Sequence, residues 1–579
     1  MTGSPGVSGS LAERDRVGTS RFLLVLLCLA VPVGLGLVYG RSLEYPFQYD
    51  DYHSIVENPH IRSLDNLGPY FLHPEMFSAM PERAMYRPLL LVTYALNHRV
   101  GGYRPLGYRL VNLGLHLACA GLVGLLARAL GRSPGASLFA AGLFALHPVQ
   151  VEPVIYLSSR SESLAALGYL GALLAYLYGR GSARRSAWTA VSLSAFTAGL
   201  LAKSTVIVLP AAVLLAEWGL PGERSWRARM RRLWPLLAGS AVAGLAYTAV
   251  GWEWLGSSLG SPVRAPGAQV WTQAKAAIYY LGLLIMPVRL SVEHGFTVTQ
   301  SPAAGPVPVA LLLLASAAFM LARGSRTDAL LAGWAVLPLL PSSLVPLNVL
   351  VNDHRLYLTV AFVAIAVAPL YRRVRLRAAW VSGLLLLAIL AAQRSAVWQS
   401  ELSLWEDAVR KGPGMYRAHL HLGGALEKAG RNNEAVRSYE RAADLAPEAV
   451  EVWYNLGNAL RQVGRAEEAA AAYRRALTVA EGYLPALLNL AGLLLDQDLP
   501  EEAAVLLEPA LLKASDHPEL LLQVGMVRRR QGRLNEAEAM YRRTLILRPG
   551  WGQACYALAN LCFDSGRLEE AARYYETAL

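Results

Sequence analysis

Long apolar runs fill the first 400 residues of the chain, and they constrain the fold more than any other feature. A helix needs about 20 mostly apolar residues to cross the hydrocarbon core of a bilayer. The chain is 54% hydrophobic and 17% charged, whereas soluble proteins average roughly 45–50% and about 25%. We therefore predict an all-α, polytopic membrane domain over residues 22–400, with eleven spans near 22–40, 107–130, 135–148, 161–179, 186–202, 205–219, 233–251, 306–322, 327–346, 353–370 and 378–394.

Basic residues beside the apolar runs predict the orientation of the spans. The net charge is +12, and much of it lies in short clusters at 128–132, 180–185, 223–232, 323–326 and 372–377. Such clusters mark cytoplasmic span ends more often than they bind a partner, so we expect no nucleic acid. Residues 1–21 then form a cytoplasmic N-terminus and residues 41–106 a large first outer loop. The run at 270–288 fits this orientation as an interfacial or re-entrant helix, although the sequence leaves open whether it spans.

The cysteines indicate neither a disulfide framework nor a metal site. Cys28 and Cys119 lie in apolar spans. Cys555 and Cys562 are seven residues apart on one predicted helix, which is roughly 10 Å of axial rise and too far for a bridge. No cofactor or metal-ligand set follows from the sequence, which leaves open whether a divalent cation takes part.

A repeat of 34 residues fills the C-terminal part of the chain. Gly or Ala recurs at this step in two series, one at 423, 457, 491, 525 and 559 and one at 435, 469, 503, 537 and 571. Four tyrosines keep the same register: Tyr439, Tyr473, Tyr541 and Tyr575. This is the tetratricopeptide pattern. We predict an α-solenoid of five units over residues 415–579, the last one incomplete, after a linker at 401–414. Its concave face suits extended peptides.

Ionisable residues collect at the predicted outer ends of the spans, where such groups are costly and are functional candidates by default. An acid pair follows the first span, and four later segments add further candidates: Asp50, Asp51, Arg87, His147, Glu152, Arg160, Glu162, Lys203, Asp353, His354 and Arg355. A carboxylate can take a proton from an incoming hydroxyl, and basic side chains can hold a phosphate leaving group. The combination predicts attack on a lipid-linked phosphate, and a lipid-phosphate sugar is a donor that fits.

Four motifs, followed by the repeats, carry a resemblance to a known family. They are YDDYHSIVENPHI at 49–61, YRPLLLVTYALNHRVGGYRPLGYRLVNLGLHL at 86–117, FALHPVQVEPVIYLSSRSE at 144–162 and HRLYL at 354–358. With them the chain resembles the transmembrane and tetratricopeptide repeat-containing proteins, which are similar to protein O-mannosyltransferases of the type-C glycosyltransferase fold. The resemblance implies an inverting transfer of mannose, or a related hexose, from a polyprenyl-phosphate donor to Ser or Thr of an extracytoplasmic protein.

The resemblance also implies roles for individual residues. In this fold the acid pair of the first outer loop holds the catalytic base, so Asp50 and Asp51 are its candidates, and Asp50 is slightly favoured. Contacts with the donor phosphate are expected from four basic residues: Arg160, Lys203, His354 and Arg355. Supporting contacts are expected from Arg87, His147, Glu152 and Glu162.

The same residue types also have structural uses. An Asp pair can cap a turn, a Lys at a helix end can extend to the membrane interface, and acids can neutralise a buried Arg. These alternatives stay open for Asp50 and Asp51, for Lys203, for Glu152 and Glu162 beside Arg160, and for His147 at the end of a span.

Two other classes of function stay open beside the enzyme. One is a membrane-anchored scaffold whose repeats assemble an envelope or secretion complex, although an anchor needs far fewer helices. The other is a transporter of lipid-linked sugars, although transporters often duplicate their spans and no duplication is evident here. The richness in Ala, Leu, Arg and Gly favours a bacterial inner membrane over the ER membrane, with the site and the repeats on the extracytoplasmic side.

Overall fold

The structure, a computed structural model, describes residues 31–80, 83–222, 225–252, 263–372 and 377–579. Within these ranges it contains helices and turns but no strand, so the predicted all-α class is confirmed. The chain divides into two compact units, Met1–Lys411 and Gly412–Leu579. The predicted cytoplasmic N-terminus at 1–21 and the first part of the first span, with Cys28, lie outside the described residues.

The first unit is built from helices of very different length. Its α-helices are α1 (Pro88–Gly101), α2 (Pro105–Ala129), α3 (Pro134–Leu146), α4 (Val151–Ile155), α5 (Arg160–Gly179), α6 (Arg185–Ala202), α7 (Leu209–Gly219), α8 (Trp226–Val250), α9 (Pro266–Ile285), α10 (Val307–Arg323), α11 (Arg326–Val336), α12 (Leu340–Leu344), α13 (Tyr357–Val367), α14 (Arg377–Val397) and α15 (Glu401–Lys411). Short helical turns connect them, at Arg41–Glu44, Tyr52–Val56, Pro59–Arg62, Leu64–Leu67, Pro69–Phe71, Pro74–Phe77, Pro148–Gln150, Leu157–Ser159, Ser204–Val208, Leu337–Leu339, Asp353–Leu356 and Ala368–Arg372.

Several helices of the first unit have the length and composition to cross a membrane. Among the described residues, five do so by themselves: Pro105–Ala129, Trp226–Val250, Arg326–Leu344, Asp353–Tyr371 and Ala378–Val397. The pair Pro134–Leu146 and Pro148–Ile155 has this length and composition only when taken together, and its 53° bend fits either a broken span or a re-entrant loop. The other predicted spans coincide with shorter or less apolar helices, and residues 31–39 of the first one are helical. The number of eleven spans and the placement of 270–288, most of which lies in α9, stay predictions.

Helices α5 and α6 pack through glycine, and this contact brings together the helix ends that carry Glu162 and Lys203. A Cβ atom on Gly168 would lie 2.6 Å from the Cα atom of Gly199 and 2.6 Å from the Ala195 carbonyl oxygen. Small residues permit such close backbone approach between membrane helices. Glu162 lies in the first turn of α5, and Lys203 directly follows α6, so two candidate residues start from helices held in close contact.

The residues predicted as a linker, 401–414, include helix α15, and the boundary between the two units falls among them, after Lys411. Ser400 and Ser403 cap its start reciprocally: the N–H of Ser403 donates to Oγ of Ser400 at 3.1 Å, and the N–H of Ser400 donates to Oγ of Ser403 at 3.2 Å. Leu404, Trp405 and Ala408 are buried on one side of the helix. A capped helix with an apolar face packs onto its own unit and is no flexible connection.

The second unit is an array of helix pairs, as the 34-residue step predicts. Its helices are α16 (Tyr416–Lys428), α17 (Asn432–Leu445), α18 (Val450–Gln462), α19 (Ala466–Val479), α20 (Leu484–Asp496), α21 (Pro500–Lys513), α22 (Pro518–Arg530), α23 (Leu534–Leu547), α24 (Gly552–Asp564) and α25 (Leu568–Ala578). A Cβ atom on Gly423, Gly457 or Gly525 would lie 2.5 Å from the ring of the unit's own tyrosine. The small residue and the Tyr therefore fit each other.

Candidate functional site

The acid pair lies in a loop whose backbone is turned by Tyr49. Tyr49 has φ of +51°, a left-handed conformation that costs a non-glycine residue roughly 1–2 kcal/mol. Asp51 then precedes the helical turn Tyr52–Val56. Because the backbone changes direction between Tyr49 and Asp51, the two adjacent carboxylates enter different surroundings.

The Asp51 carboxylate is buried and held by the protein. Oδ1 accepts the N–H and the hydroxyl of Ser158, both at 2.9 Å, and Oδ2 accepts the N–H of Gln48 at 3.1 Å. Burial raises the pKa of Asp51 to about 6, against the opposing effect of Arg109 and of these hydrogen bonds. With 1% of its surface exposed, Asp51 joins the loop to the turn at Ser158 and is poorly placed to meet a substrate.

The Asp50 carboxylate is open by comparison, with a third of its side chain exposed. Oδ1 lies 3.3 Å from Nε2 of His53 and 3.2 Å from Nη1 of Arg83. Burial by itself raises the pKa of Asp50, but the hydrogen bonds with His53 and Tyr156 and the two positive groups outweigh it, so the net pKa is below the ordinary value. An accessible carboxylate that stays ionised can accept a proton at neutral pH.

The polar turn SSRSE, at 158–162, joins the acid pair to the basic residues. Ser158 binds Asp51, Ser161 accepts from Nη1 of Arg87 at 3.2 Å, and Glu162 forms an ion pair with Lys203. Ser158 and Glu162 are four residues apart, about 6 Å of rise along a helix. The acid loop and the basic residues therefore meet on one short segment.

In the basic part of the site, basic and acidic side chains alternate. His354 lies 2.8 Å from Oε1 of Glu152 through Nδ1 and 3.6 Å from Oε1 of Glu162 through Nε2. Glu162 also pairs with Lys203. The Lys203 ammonium thus has a carboxylate partner in a poorly solvated region, where an unpaired charge is costly.

Two arginines border this cluster and differ in how many donors they use. Among the described residues, Arg87 donates only to Ser161 and lies over the Phe77 ring, 5.7 Å from its centroid. Arg355 donates to the carbonyls of Val349 and Leu350, at 2.7 and 2.9 Å. Of these two arginines, Arg87, which the sequence places among the supporting residues, therefore keeps more donors for a phosphate.

The contacts of Arg160 are structural, and they do not support the expectation that it binds the sugar donor. The side chain is fully buried. Nε donates to Asn112, Nη1 to Thr93 and Asn97, and Nη2 to the carbonyl of Tyr108, at 2.6 to 3.1 Å. The alternative pairing with Glu152 or Glu162 does not form, because those acids bind His354 and Lys203. Arg160 instead joins α5 to α1 and α2.

His147 also performs a structural task. Its Nδ1 accepts the N–H of Val149 at 3.3 Å, and its Nε2 lies 3.0 Å from the carbonyl of Leu284. This corresponds to the alternative in which His147 ends a span. Asp353, the remaining candidate, pairs with His294 at 2.8 Å and lies 3.7 Å from Arg394.

Sequence reasoning missed several residues of the acid end: His53, Arg83, Tyr156 and Ser158. His53 had a signal, since a residue three positions after Asp50 in a helical turn lies beside it. Arg83 and Ser158 are far from Asp50 in sequence and had none. Within the described ranges, no three His, Cys, Asp or Glu side chains are grouped so as to hold a metal ion.

Comparison with known proteins supports the same two parts of the chain. Two family models described as tetratricopeptide repeat match, one over residues 425–483 and 522–579 and the other over 460–523. The protein O-mannosyl-transferase F38B6.6 of Caenorhabditis elegans is 24% identical over 459 residues, 75% of this chain and 64% of that protein. The protein O-mannosyl-transferase Tmtc3 of Drosophila melanogaster is 26% identical over 541 residues, 76% of this chain and 57% of the relative.

The predicted resemblance is confirmed. The chain is similar to transmembrane and tetratricopeptide repeat-containing protein O-mannosyl-transferases, and its C-terminal unit is a tetratricopeptide-repeat array. The chain spans less than two thirds of the length of the curated relatives named here. Among solved structures, a thermophilic TPR protein of Thermus thermophilus, TTC0263, matches 28% of this chain and 90% of its own, with 26% identity and a TM-score of 0.26.

Proposed function

We propose that this protein is a membrane glycosyltransferase that moves mannose, or a related hexose, from a polyprenyl-phosphate donor to Ser or Thr of a protein. The observation that carries the proposal is the unequal pair Asp50 and Asp51. The Asp51 carboxylate is occupied by protein hydrogen bonds, which attach the loop to SSRSE, the segment that also contacts Arg87 and Lys203. The neighbouring Asp50 is open and ionised. The similarity to protein O-mannosyl-transferases supports the same reaction.

Asp50 is the proposed general base. The acceptor hydroxyl attacks C1 of the sugar while Asp50 takes its proton, the new C1–O bond forms, and the bond from C1 to the phosphate oxygen breaks. The electron pair leaves with the polyprenyl phosphate, and attack opposite to the leaving group inverts the configuration at C1. His53 and Arg83 keep Asp50 ionised before the step, and a positioned base of this kind contributes roughly 10²- to 10⁴-fold in rate.

Arg87, Lys203 and Arg355 are the proposed phosphate-binding residues. Charge gathers on the phosphate oxygens as the bond to C1 breaks, and cations at that point lower the energy of the transition state. Glu162 and Glu152 hold Lys203 and His354 in place. The lipid tail of the donor would lie among the apolar helices. The repeats are proposed to recruit the acceptor through their concave face, on the extracytoplasmic side of the membrane.

The experiment that tests the proposal is transfer of labelled mannose from polyprenyl-phosphate mannose to a Ser/Thr peptide by the purified full chain in detergent. Asp50→Asn is expected to lower kcat by roughly 10²- to 10⁴-fold, with an unchanged size-exclusion profile. Glu57→Gln, an exposed acid of the same loop, is the matched control and is expected to keep full activity. Full transfer by Asp50→Asn would contradict the proposed base.

A panel of donors separates the reaction from the identity of the sugar. Polyprenyl-phosphate glucose is assayed beside polyprenyl-phosphate mannose, with the same peptide. Transfer of the glucose alone would keep the reaction class and replace the sugar. Transfer from neither donor by a folded protein, with a range of Ser/Thr peptides, would favour the scaffold instead.

A further inference from the structure

Helix α15 contacts the loop that carries Asp50. The N–H of Tyr49 donates to Oε1 of Glu401 at 3.0 Å. The Tyr49 ring meets the Trp405 ring edge to face, with centroids 5.3 Å apart. Glu401 and Trp405 are one helical turn apart on α15, so both contacts come from the same side of the helix. They fall on the residue directly before the proposed base.

The backbone conformation of Tyr49 sets the direction of the loop that follows, so contacts with Tyr49 affect the position of Asp50. Its φ of +51° is unfavourable for a residue with a side chain, and such a conformation persists only where neighbouring groups hold it. Glu401 provides an acceptor for its N–H, and Trp405 provides a surface for its ring. If these contacts were lost, Tyr49 would relax to an ordinary backbone conformation and the Asp50 carboxylate would point elsewhere.

Helix α15 is itself firmly attached to the first unit. Asp407 lies 3.1 Å from Nη1 of Arg394 and 2.8 Å from Nζ of Lys411. Lys411 also donates to the carbonyl of Leu290 at 2.6 Å. With its start capped by Ser400 and Ser403, the helix is fixed at both ends and can serve as a rigid support.

We propose that Glu401 and Trp405 are positioning residues, which set the direction of the Asp50 carboxylate through Tyr49. This inference rests on the proposed function, because it requires Asp50 to be the base. Glu401 binds the loop through its backbone and takes no part in the proton transfer. A displacement of about 1 Å at a reacting group can cost 10²-fold in rate, so a support of this kind affects kcat.

The pH dependence of kcat distinguishes positioning from a general loss of structure. The groups that face Asp50 are His53 and Arg83, at 3.3 and 3.2 Å, and the Tyr156 hydroxyl, which accepts the N–H of Asp50 at 3.2 Å. Asp51 is the neighbouring acid. A loop that relaxes takes Asp50 away from His53 and Arg83, and its pKa then returns toward the ordinary value. The acid limb of the kcat profile therefore moves to higher pH.

The test compares Glu401→Ala, Glu401→Gln and Arg410→Ala in the full chain, with polyprenyl-phosphate mannose and a Ser/Thr peptide. Glu401→Ala is expected to lower kcat by roughly 10- to 100-fold and to leave the KM values for donor and peptide within about twofold of wild type. The acid limb of its kcat–pH profile is expected to move to higher pH. Glu401→Gln keeps an oxygen that accepts the Tyr49 N–H, so it is expected to retain kcat. Arg410 is exposed on the same helix, and Arg410→Ala is expected to behave as wild type.

Each other outcome counts against the inference in a defined way. A Glu401→Ala protein with wild-type kcat and acid limb overturns it, and so does a Glu401→Gln protein as slow as Glu401→Ala. If Glu401→Ala cannot be obtained folded, two variants of Trp405 replace it. Trp405→Phe is expected to have the wild-type kcat and Trp405→Leu a lower one. Equal kcat values for these two variants overturn the inference as well. Full activity of Asp50→Asn would instead remove the proposed function itself, so the two failures are distinguishable.

Discussion

Alanine substitutions at two adjacent glycines of the first repeat helix, Gly423 and Gly424, should change the stability of that repeat in opposite directions. A Cβ atom on Gly423 would lie 2.5, 2.6 and 2.7 Å from three ring carbons of Tyr439, whereas on Gly424 it would lie 3.6 Å from the Tyr439 hydroxyl. The first distance is far inside van der Waals contact, and the second is ordinary contact. Because both residues lie in the interior of α16, a difference in stability between the two alanine variants measures the effect of the contact with the Tyr439 ring.

The magnitude of the effect follows from how firmly the ring is held. Tyr439 is 2% exposed, and its hydroxyl donates to Glu427 at 2.7 Å, so the ring cannot turn aside. Overpacking at such a site destabilises the folded state by about 1–3 kcal/mol. The higher helix propensity of alanine than of glycine stabilises the helix by up to about 1 kcal/mol. Gly423→Ala should lower the free energy of unfolding of this repeat by up to ~2 kcal/mol, and Gly424→Ala should raise it by up to ~1 kcal/mol.

Hydrogen–deuterium exchange of peptides from α16 and α17 in the full chain measures these local free energies. Faster exchange in Gly423→Ala and slower or equal exchange in Gly424→Ala are the expected results. Equal protection in the two variants would refute the argument that Gly423 is required by the Tyr439 ring. Gly457→Ala, which faces Tyr473 at 2.5 Å, repeats the test in the next unit.

Three further predictions concern the first unit. The raised pKa of Asp51, about 6 against an ordinary 3.8, means that the folded state binds a proton more tightly than the unfolded state. The free energy of unfolding should therefore fall as pH rises from about 4 to about 6, by up to ~3 kcal/mol, and pH-dependent thermal unfolding should show this slope lost in Asp51→Asn. Arg160→Lys should lower the free energy of unfolding by about 2–4 kcal/mol, because lysine cannot replace the five donors of the guanidinium group. The KM of the folded variant for the donor should stay unchanged. Arg87→Met should raise KM for polyprenyl-phosphate mannose by roughly 10- to 100-fold, the worth of one charged hydrogen bond, without a stability loss of that size.

The two candidate acids illustrate why the sequence could indicate a site without resolving it. Asp50 and Asp51 are equivalent as neighbours in YDDYH. Distant partners help to separate them: Ser158 binds Asp51, Arg83 binds Asp50 and Glu401 binds Tyr49, through hydrogen bonds between residues that are 33 to 352 positions apart. Arg160 shows the converse. Its type and motif favoured a ligand contact, but Asn112, Thr93 and Asn97 take its donors in the folded chain.

Local periodicity determined what the sequence alone could establish: apolar runs long enough for membrane helices, and a 34-residue step that brings Gly423 against Tyr439. Both arise from residues close together in the chain, so a short stretch contains all the information. The tertiary structure decided the pairing of Lys203 with Glu162, the burial of Asp51 beside an open Asp50, and the support of Tyr49 by α15. These depend on which distant segments pack together, and no local pattern of residue types determines that choice.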